Sequence, residues 1–226
     1  MRHIFLFILM IFLTACTRSA STSLPPTPLP STLSPTTIPT DGTIVAVGDS
    51  LTEGFGVDPR ESYPAQLERK LQADSYNYTV INAGVSGETS SGTVSRIDWI
   101  LTLEPDIIIL AIGGNDSLRA LDPSLTEQNL QELVTAFQDA GVTVVLAGMQ
   151  TVQNLGPEYT EAFRAIYPAV AEAHNLILIP FLLEGVAGDP ALNQDDFIHP
   201  TAEGYAIVVE TVYPYVLEAV EGLGKS

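Results

Sequence analysis

Short apolar segments alternate with amphipathic segments five times along most of this chain. The apolar segments are rich in Val and Ile and comprise residues 43–48, 78–84, 106–114, 142–148 and 176–181. They show little alternation of apolar and polar residues, as expected of strands that are buried on both faces. Strands followed each time by a helix predict a doubly wound α/β domain of three layers, with about five parallel strands between two layers of helices.

The amphipathic segments have apolar residues at helical spacing, as Tyr63, Leu67 and Leu71 illustrate. They predict helices over residues 61–74, 90–103, 126–141, 159–174 and 200–223. The segment 106–114 is the most apolar of the strands and is expected at the centre of the sheet. Sites in such sheets lie at the carboxyl ends of the strands, so chemistry is expected in the loops that follow them.

The first sixteen residues do not belong to the predicted domain. Residues 4–13 are apolar and uncharged, too few to span a bilayer but typical of a secretory signal. Residues 13–16 read LTAC and resemble the lipobox of bacterial lipoproteins, in which the cysteine becomes the lipidated N-terminus. Because Cys16 is the only cysteine, it has no partner for an internal disulfide. We expect an exported protein, anchored through Cys16 to the outer face of a bacterial membrane; the alternative is a cleaved signal peptide with an incidental cysteine.

A tether is predicted between this anchor and the domain, over residues 17–41. Residues 17–40 include five Ser, seven Thr and six Pro, which leaves too little apolar surface to offset the entropy of ordering. At about 3.1 Å per residue the segment would reach at most roughly 70 Å. Residues 42–226 then form one folded domain. The formal net charge of −18 argues against nucleic acid and anionic lipid as partners.

Two histidines remain once the leader is set aside. His174 ends a helical segment, where a cation favours the helix dipole, and a structural role is expected for it. His199 follows Asp196 by three residues and Asp195 by four. Either carboxylate could hold the Nδ1–H of the imidazole and leave Nε2 free to take a proton. Without a nucleophile, such a pattern is also typical of an ordinary polar surface.

Ser50 is the candidate nucleophile, because it directly follows the first strand in the stretch GDSLTEG. A helix that begins there would point the Ser50 N–H at a developing oxyanion, and Gly48 permits the tight turn. Gly87 in GVSGET and Asn115 in GGND follow the second and third strands and could add a backbone and a side-chain donor.

The chain has no G-x-S-x-G elbow, which argues against the α/β-hydrolase superfamily. Turn-forming or capping roles are expected for Asp49 and Asp116.

Four ordered blocks in this sequence resemble those of the GDSL/SGNH hydrolase family. They are GDSLTEGFG, NAGVSGETS, GGNDSLR and DDFIHP. The resemblance extends from Thr43 to about Val216 and looks closest to bacterial arylesterases, acyl-thioesterases and lysophospholipases. It implies a flavodoxin-like fold, with a catalytic triad and an oxyanion hole that need no metal or cofactor. Carried over by position, the triad is Ser50, His199 and Asp196 rather than Asp195, and the oxyanion donors are Ser50, Gly87 and Asn115.

The expected function is hydrolysis of carboxylic esters or thioesters with an acyl chain, by a monomeric enzyme. Apolar residues in the site loops favour acyl chains over sugars as substrates; these are Leu51, Phe55, Leu118, Leu155, Phe197 and Ile198. Residues 148–159 lie where the family's substrate-contacting loop is expected and differ from its relatives. Two alternatives remain. One is a carbohydrate O-acetyl esterase, and the other is a non-catalytic lipoprotein that binds lipid or glycan.

Overall fold

The sheet consists of five parallel strands, as the sequence predicts. The computed structural model describes residues 40–151 and 155–224, so the predicted signal segment with Cys16 and nearly all of the tether lie outside the described residues. The strands are β1 (Gly42–Gly48), β2 (Tyr78–Gly84), β3 (Ile107–Ala111), β4 (Thr143–Ala147) and β5 (Ile177–Ile179). Their order is β2-β1-β3-β4-β5, which confirms the flavodoxin-like arrangement.

The strand β3 is the centre of the sheet, which confirms the expectation for the most apolar segment. All five of its residues are buried. Val45 of β1 pairs with Ile81 on one side and with Ile108 of β3 on the other. Because the strands are parallel, this register brings the ends of β1, β2 and β3 to the same edge of the sheet.

Helices flank the sheet. They are α1 (Ser50–Glu53), α2 (Tyr63–Ala73), α3 (Ser90–Val94), α4 (Ile97–Leu101), α5 (Gly114–Leu118), α6 (Pro123–Asp139), α7 (Pro157–His174) and α8 (Ala202–Leu223). A 3₁₀ turn, Pro59–Glu61, precedes α2. The helix α2 packs against α8, and α6 packs against α3 and α7. None of the helices in residues 40–151 and 155–224 combines the length and the hydropathy of a membrane-spanning segment.

The helix predicted over residues 90–103 is two helices, α3 and α4. Its break lies at Ser95 and Arg96, where the Ser95 hydroxyl donates to the Gly92 carbonyl at 2.6 Å. The Arg96 N–H, which would bond that carbonyl in a continuous helix, donates to Thr93 O instead. A serine side chain that competes with the backbone for an acceptor ends the helix.

The four remaining predicted helices begin two or three residues from the predicted start, with α2 at Tyr63, α6 at Pro123, α7 at Pro157 and α8 at Ala202. The helix α6 starts at Pro123, three residues before Thr126, because the Asp122 carboxylate accepts the N–H of Ser124 and proline suits the first helical position. The helix α8 starts at Ala202, after Thr201 as its cap.

Candidate active site

The edge of the sheet where β1, β2 and β3 end carries the predicted site residues. Ser50 follows β1, Gly87 follows β2 and Asn115 follows β3. Because β1 lies between β2 and β3, the segment of Ser50 lies between the other two. This is also the point where the strand order reverses, which is where ligands bind in open α/β sheets. One cavity of about 220 Å³ lies at this edge, and its lining includes Ser50, Gly87, Asn115 and His199.

Ser50, His199 and Asp196 form a continuous chain of hydrogen bonds. The distance from Ser50 Oγ to His199 Nε2 is 2.8 Å, and that from His199 Nδ1 to Asp196 Oδ2 is 2.6 Å. This is the geometry in which a carboxylate orients an imidazole and the imidazole takes the proton of a hydroxyl. The structure thus brings together the three residues that the sequence analysis singled out from segments almost 150 residues apart.

Asp196, and not Asp195, is the carboxylate beside His199. Its second oxygen, Oδ1, accepts the backbone N–H groups of Ile198 at 2.9 Å and His199 at 3.0 Å. Burial raises the pKa of Asp196, but these hydrogen bonds and the His199 ring outweigh it and lower the pKa to about 2. Asp196 therefore stays ionised at neutral and mildly acidic pH. Asp195 is exposed.

Ser50 is the first residue of α1, so its backbone N–H points out of a helix N-terminus as the sequence predicts. Asp49 caps this helix by accepting the Leu51 N–H at 3.0 Å. Position 48 requires glycine because the backbone of β3 lies close to it, and a Cβ there would lie 2.5 Å from the carbonyl oxygen of Ala111. The turn between β1 and α1 is thus fixed against the central strand.

Two further residues with N–H groups, Gly87 and Asn115, line the same cavity. Gly87 has a φ of +76°, a conformation that favours glycine, and its N–H belongs to the loop after β2. Asn115 lies in the first turn of α5 and donates through Nδ2 to Asp49 Oδ2 at 3.2 Å. An amide nitrogen has two hydrogens, so this bond orients Asn115 and leaves one hydrogen for an oxyanion. No local pattern in the sequence indicates this link between Asp49 and Asn115.

Burial raises the pKa of Asp49 to about 6, although its bonds with Leu51 and Asn115 oppose the shift. The folded chain therefore binds a proton more tightly than the unfolded chain, where the pKa is about 3.9. The contribution of Asp49 to the free energy of unfolding therefore falls as pH rises from about 4 to about 6.

We expect Asp49→Asn to remove this contribution, because asparagine does not titrate. Relative to the variant, the wild type should lose roughly 2 kcal/mol of unfolding free energy between pH 4 and pH 6. Urea unfolding of both proteins across this range measures the difference, and all other titrating groups cancel in the comparison. If the unfolding free energies of the two proteins change equally with pH, the result would contradict a raised pKa of Asp49.

The loop that carries Gly87 is held from both sides. Glu53 of α1 accepts the Ser86 N–H at 3.1 Å and also the Ser86 hydroxyl. From the α5 side, the Arg119 guanidinium donates to Gly87 O at 2.7 Å. These two contacts tie the segments after β1, β2 and β3 together.

Asp116 has a larger role than the turn or cap expected from sequence. It is fully buried and accepts both the N–H and the hydroxyl of Ser90, at 2.8 and 2.5 Å. It also accepts the Thr126 hydroxyl at 3.3 Å. Asp116 therefore fastens α5, and with it Asn115, to α3 and α6.

His174 ends α7 and contacts Gln138 of α6, in keeping with the structural role expected for it.

An apolar cavity of about 320 Å³ adjoins the Ser50 cavity. The two share Leu51, Gly114, Leu118 and Ile198 as lining residues. Phe55 lines the Ser50 cavity and packs on the His199 ring with 4.7 Å between ring centroids. Of the apolar residues expected at the site, Leu155 lines neither cavity. From the segment 148–159, Met149, Gln150 and Thr151 line the larger cavity, and residues 152–154 lie outside the described residues.

The described parts of the chain contain no group of three or more His, Cys, Asp or Glu residues that could hold a metal ion. The arrangement at Ser50 is that of nucleophilic catalysis. It has a hydroxyl beside an imidazole, a carboxylate behind the imidazole, and N–H donors around one cavity.

Comparison with known proteins gives the family. Residues 46–207 match the GDSL-like Lipase/Acylhydrolase family. Esterase TesA of Pseudomonas aeruginosa is 38% identical over 173 residues, which are 76% of this chain and 86% of that protein. The thioesterase 1/protease 1/lysophospholipase L1 of Escherichia coli K12 is 34% identical over 169 residues, 74% of this chain and 80% of that one.

The fold agrees with these relatives. A crystal structure of TesA superposes with a TM-score of 0.76 at 37% identity, covering 78% of this chain and 99% of the other. The family match covers more than half of the chain and includes all residues of the hydrogen-bonded chain at Ser50. The chain therefore belongs to the GDSL-like lipase/acylhydrolase family and is a serine ester hydrolase.

Proposed function

We propose that this protein hydrolyses carboxylic esters or thioesters of apolar acyl groups, with Ser50 as nucleophile, His199 as general base and Asp196 as the group that orients His199. The observation that carries the proposal is the unbroken chain of hydrogen bonds from Asp196 through His199 to Ser50 Oγ. The names of the relatives, which include an esterase and a thioesterase/lysophospholipase, support this class of substrate.

In the first half of the reaction, His199 Nε2 takes the proton of Ser50 as Oγ attacks the acyl carbonyl carbon. The negative charge that develops on the carbonyl oxygen is met by the N–H groups of Ser50 and Gly87 and by Asn115 Nδ2. The tetrahedral intermediate then collapses, and His199 returns the proton to the leaving alcohol or thiol.

In the second half, water replaces the leaving group. His199 takes a proton from that water as the water oxygen attacks the carbonyl carbon of the acyl-Ser50 ester. When the second tetrahedral intermediate collapses, the bond from that carbon to Ser50 Oγ breaks, His199 returns the proton to Oγ, and the carboxylic acid is released. The ionised Asp196 stabilises the imidazolium in both halves.

The cavities support an apolar acyl group as the substrate's acid part. An acyl carbon placed at Ser50 Oγ lies in the smaller cavity, and the shared residues Leu51, Leu118 and Ile198 lead to the larger one. Burial of each methylene of the acyl chain there contributes about 0.8 kcal/mol to binding. Together the cavities offer space for a chain longer than an acetyl group.

A series of p-nitrophenyl esters from acetate to decanoate tests this substrate class, with acetylated xylan as the competing substrate. We expect kcat/KM to rise with chain length beyond acetate and acetylated xylan to be a poor substrate. A preference for acetylated xylan over every p-nitrophenyl ester would contradict the proposal and favour the carbohydrate O-acetyl esterase.

We also propose that Cys16 is lipidated and anchors the enzyme at the outer face of a bacterial membrane. The LTAC sequence and the absence of any other cysteine support this. The chain enters β1 at Gly42 and reaches Ser50 after a strand of about 20 Å. A tether of up to roughly 70 Å would allow the Ser50 edge of the sheet to face the membrane. Metabolic labelling with a fatty acid tests this proposal. If the Cys16→Ser variant incorporates the label as the wild type does, the result would contradict lipidation of Cys16.

A further inference from the structure

Exposed apolar side chains concentrate around the Ser50 site. Among the described residues, seven large apolar side chains are exposed, and five of these belong to the segments that line the two cavities: Phe55, Val85, Leu118, Phe197 and Ile198. We call these five residues the apolar rim. Four of them line a cavity, and Val85 directly precedes the cavity residues Ser86 and Gly87. The other two exposed residues, Trp99 and Leu125, line neither cavity.

Phe197 is the most exposed member of the rim, at 62%. Its φ is +58°, in the left-handed region that glycine and asparagine adopt readily and that a bulky side chain rarely does. A ring that is exposed adds little to the core, so core packing does not explain why phenylalanine occupies a position that suits glycine. Unfavourable backbone conformations of this kind are typical of functional sites. Contact with something outside the chain explains why an exposed phenylalanine occupies this position.

We propose that the apolar rim docks the enzyme on the surface of a zwitterionic lipid aggregate, so that an acyl ester can pass from the lipid to Ser50. The inference rests on the proposed function, because the rim is continuous with the cavities that would receive the acyl chain. Exposed apolar patches around a groove are typical of interaction surfaces. The chain's net charge of −18 opposes approach to anionic lipid, which leaves a zwitterionic surface as the matching partner.

A tryptophan probe at the rim tests docking without catalysis. The sequence has a single tryptophan, Trp99, which lies off the rim and is half exposed. In the full chain with Ser50→Ala and Trp99→Phe, the substitution Phe197→Trp places the only indole in the rim. We expect its emission to shift to the blue on phosphatidylcholine vesicles, because the indole enters an apolar layer. Ser50→Ala alone, with native Trp99, is the control and should show no shift.

Two charge variants separate the rim from the rest of the surface. Val85→Glu places a charge in the rim, while Leu125→Glu places the same charge at an exposed position elsewhere. In the probe background, Val85→Glu should abolish the emission shift and Leu125→Glu should retain it. With the native Ser50, both variants should hydrolyse monomeric p-nitrophenyl butyrate within about twofold of wild type, since neither side chain lines a cavity. On lysophosphatidylcholine micelles, Val85→Glu should be at least about fivefold slower than Leu125→Glu, because a charge resists burial in lipid.

The outcomes distinguish this inference from the proposed function. An unshifted probe, or equal rates for the two variants on micelles, would overturn docking even if p-nitrophenyl butyrate is hydrolysed well. A wild type that hydrolyses neither substrate would overturn the proposed function, while the probe would still report docking. A wild-type dimer that Val85→Glu dissociates, together with an unshifted probe, would mean that the rim pairs with a second copy and would also overturn the inference.

Discussion

Ser50→Ala is expected to lower the turnover of p-nitrophenyl butyrate by about 10⁴- to 10⁶-fold, which is the range for loss of a nucleophile that acts together with its base. The substitution removes Oγ, the atom that His199 Nε2 contacts at 2.8 Å. The backbone N–H of residue 50 and the N-terminal cap from Asp49 remain, because neither uses the side chain. Steady-state kinetics measures the loss.

The matching control for Ser50→Ala is the thermal unfolding midpoint. It should stay within a few degrees of the wild-type value, since the hydroxyl packs in no core. Turnover close to the wild-type rate in a folded variant would exclude Ser50 as the nucleophile. A collapse of the midpoint would instead mean that the side chain is structural.

Asp196→Asn is expected to lower kcat by about 10⁴-fold, the effect known for an asparagine that leaves the imidazole in the wrong tautomer. The asparagine has one oxygen, whereas Asp196 uses two, one for His199 Nδ1 and one for the backbone N–H groups of Ile198 and His199. An amide nitrogen facing Nδ1 cannot accept its hydrogen, so His199 Nε2 no longer serves as the base for Ser50.

Asp195→Asn is the matched control, because it makes the same change one residue earlier at an exposed position. Its kcat should lie within about twofold of the wild type. Equal losses in the two variants would contradict the assignment of Asp196. The reverse order, with the larger loss in Asp195→Asn, would give the orienting role to Asp195.

Much of the fold could be predicted because each strand and helix has a local pattern. The run of Val and Ile in β3 indicated a strand buried on both faces, and that strand is the centre of the sheet. Helix ends were less predictable, because they depend on single side chains. The Ser95 hydroxyl divides one predicted helix into α3 and α4, and Asp122 starts α6 earlier than the pattern of apolar residues indicated.

The site was predictable to the extent that its residues lie in recognisable blocks. Ser50, His199 and Asp196 lie within hydrogen-bonding distance as expected, and their catalytic roles stay predictions. The contacts that support them were not predictable. The bonds from Asn115 to Asp49 and from Arg119 to Gly87 join segments that follow different strands, and no local pattern reports such a contact.

The backbone conformation of Phe197 could not be predicted from the sequence. The composition of the loop indicated an apolar residue near the site, but nothing in the letters DDFIHP indicates a positive φ at the phenylalanine. The conformation follows from how residues 194–199 fold back, with the Phe197 N–H donating to Gln194 O and the Asp196 carboxylate accepting two N–H groups. The turn that positions His199 therefore also exposes Phe197.

Labelling with a p-nitrophenyl alkylphosphonate, read by peptide mass spectrometry, tests most directly whether Ser50 is an activated nucleophile. We expect one covalent adduct, on the peptide that contains Ser50, which is absent in Ser50→Ala and forms far more slowly in Asp196→Asn than in Asp195→Asn. A protein that forms no adduct would be a binding module on a hydrolase scaffold. An adduct on any other serine would place the nucleophile elsewhere, and either result would contradict the role proposed for Ser50.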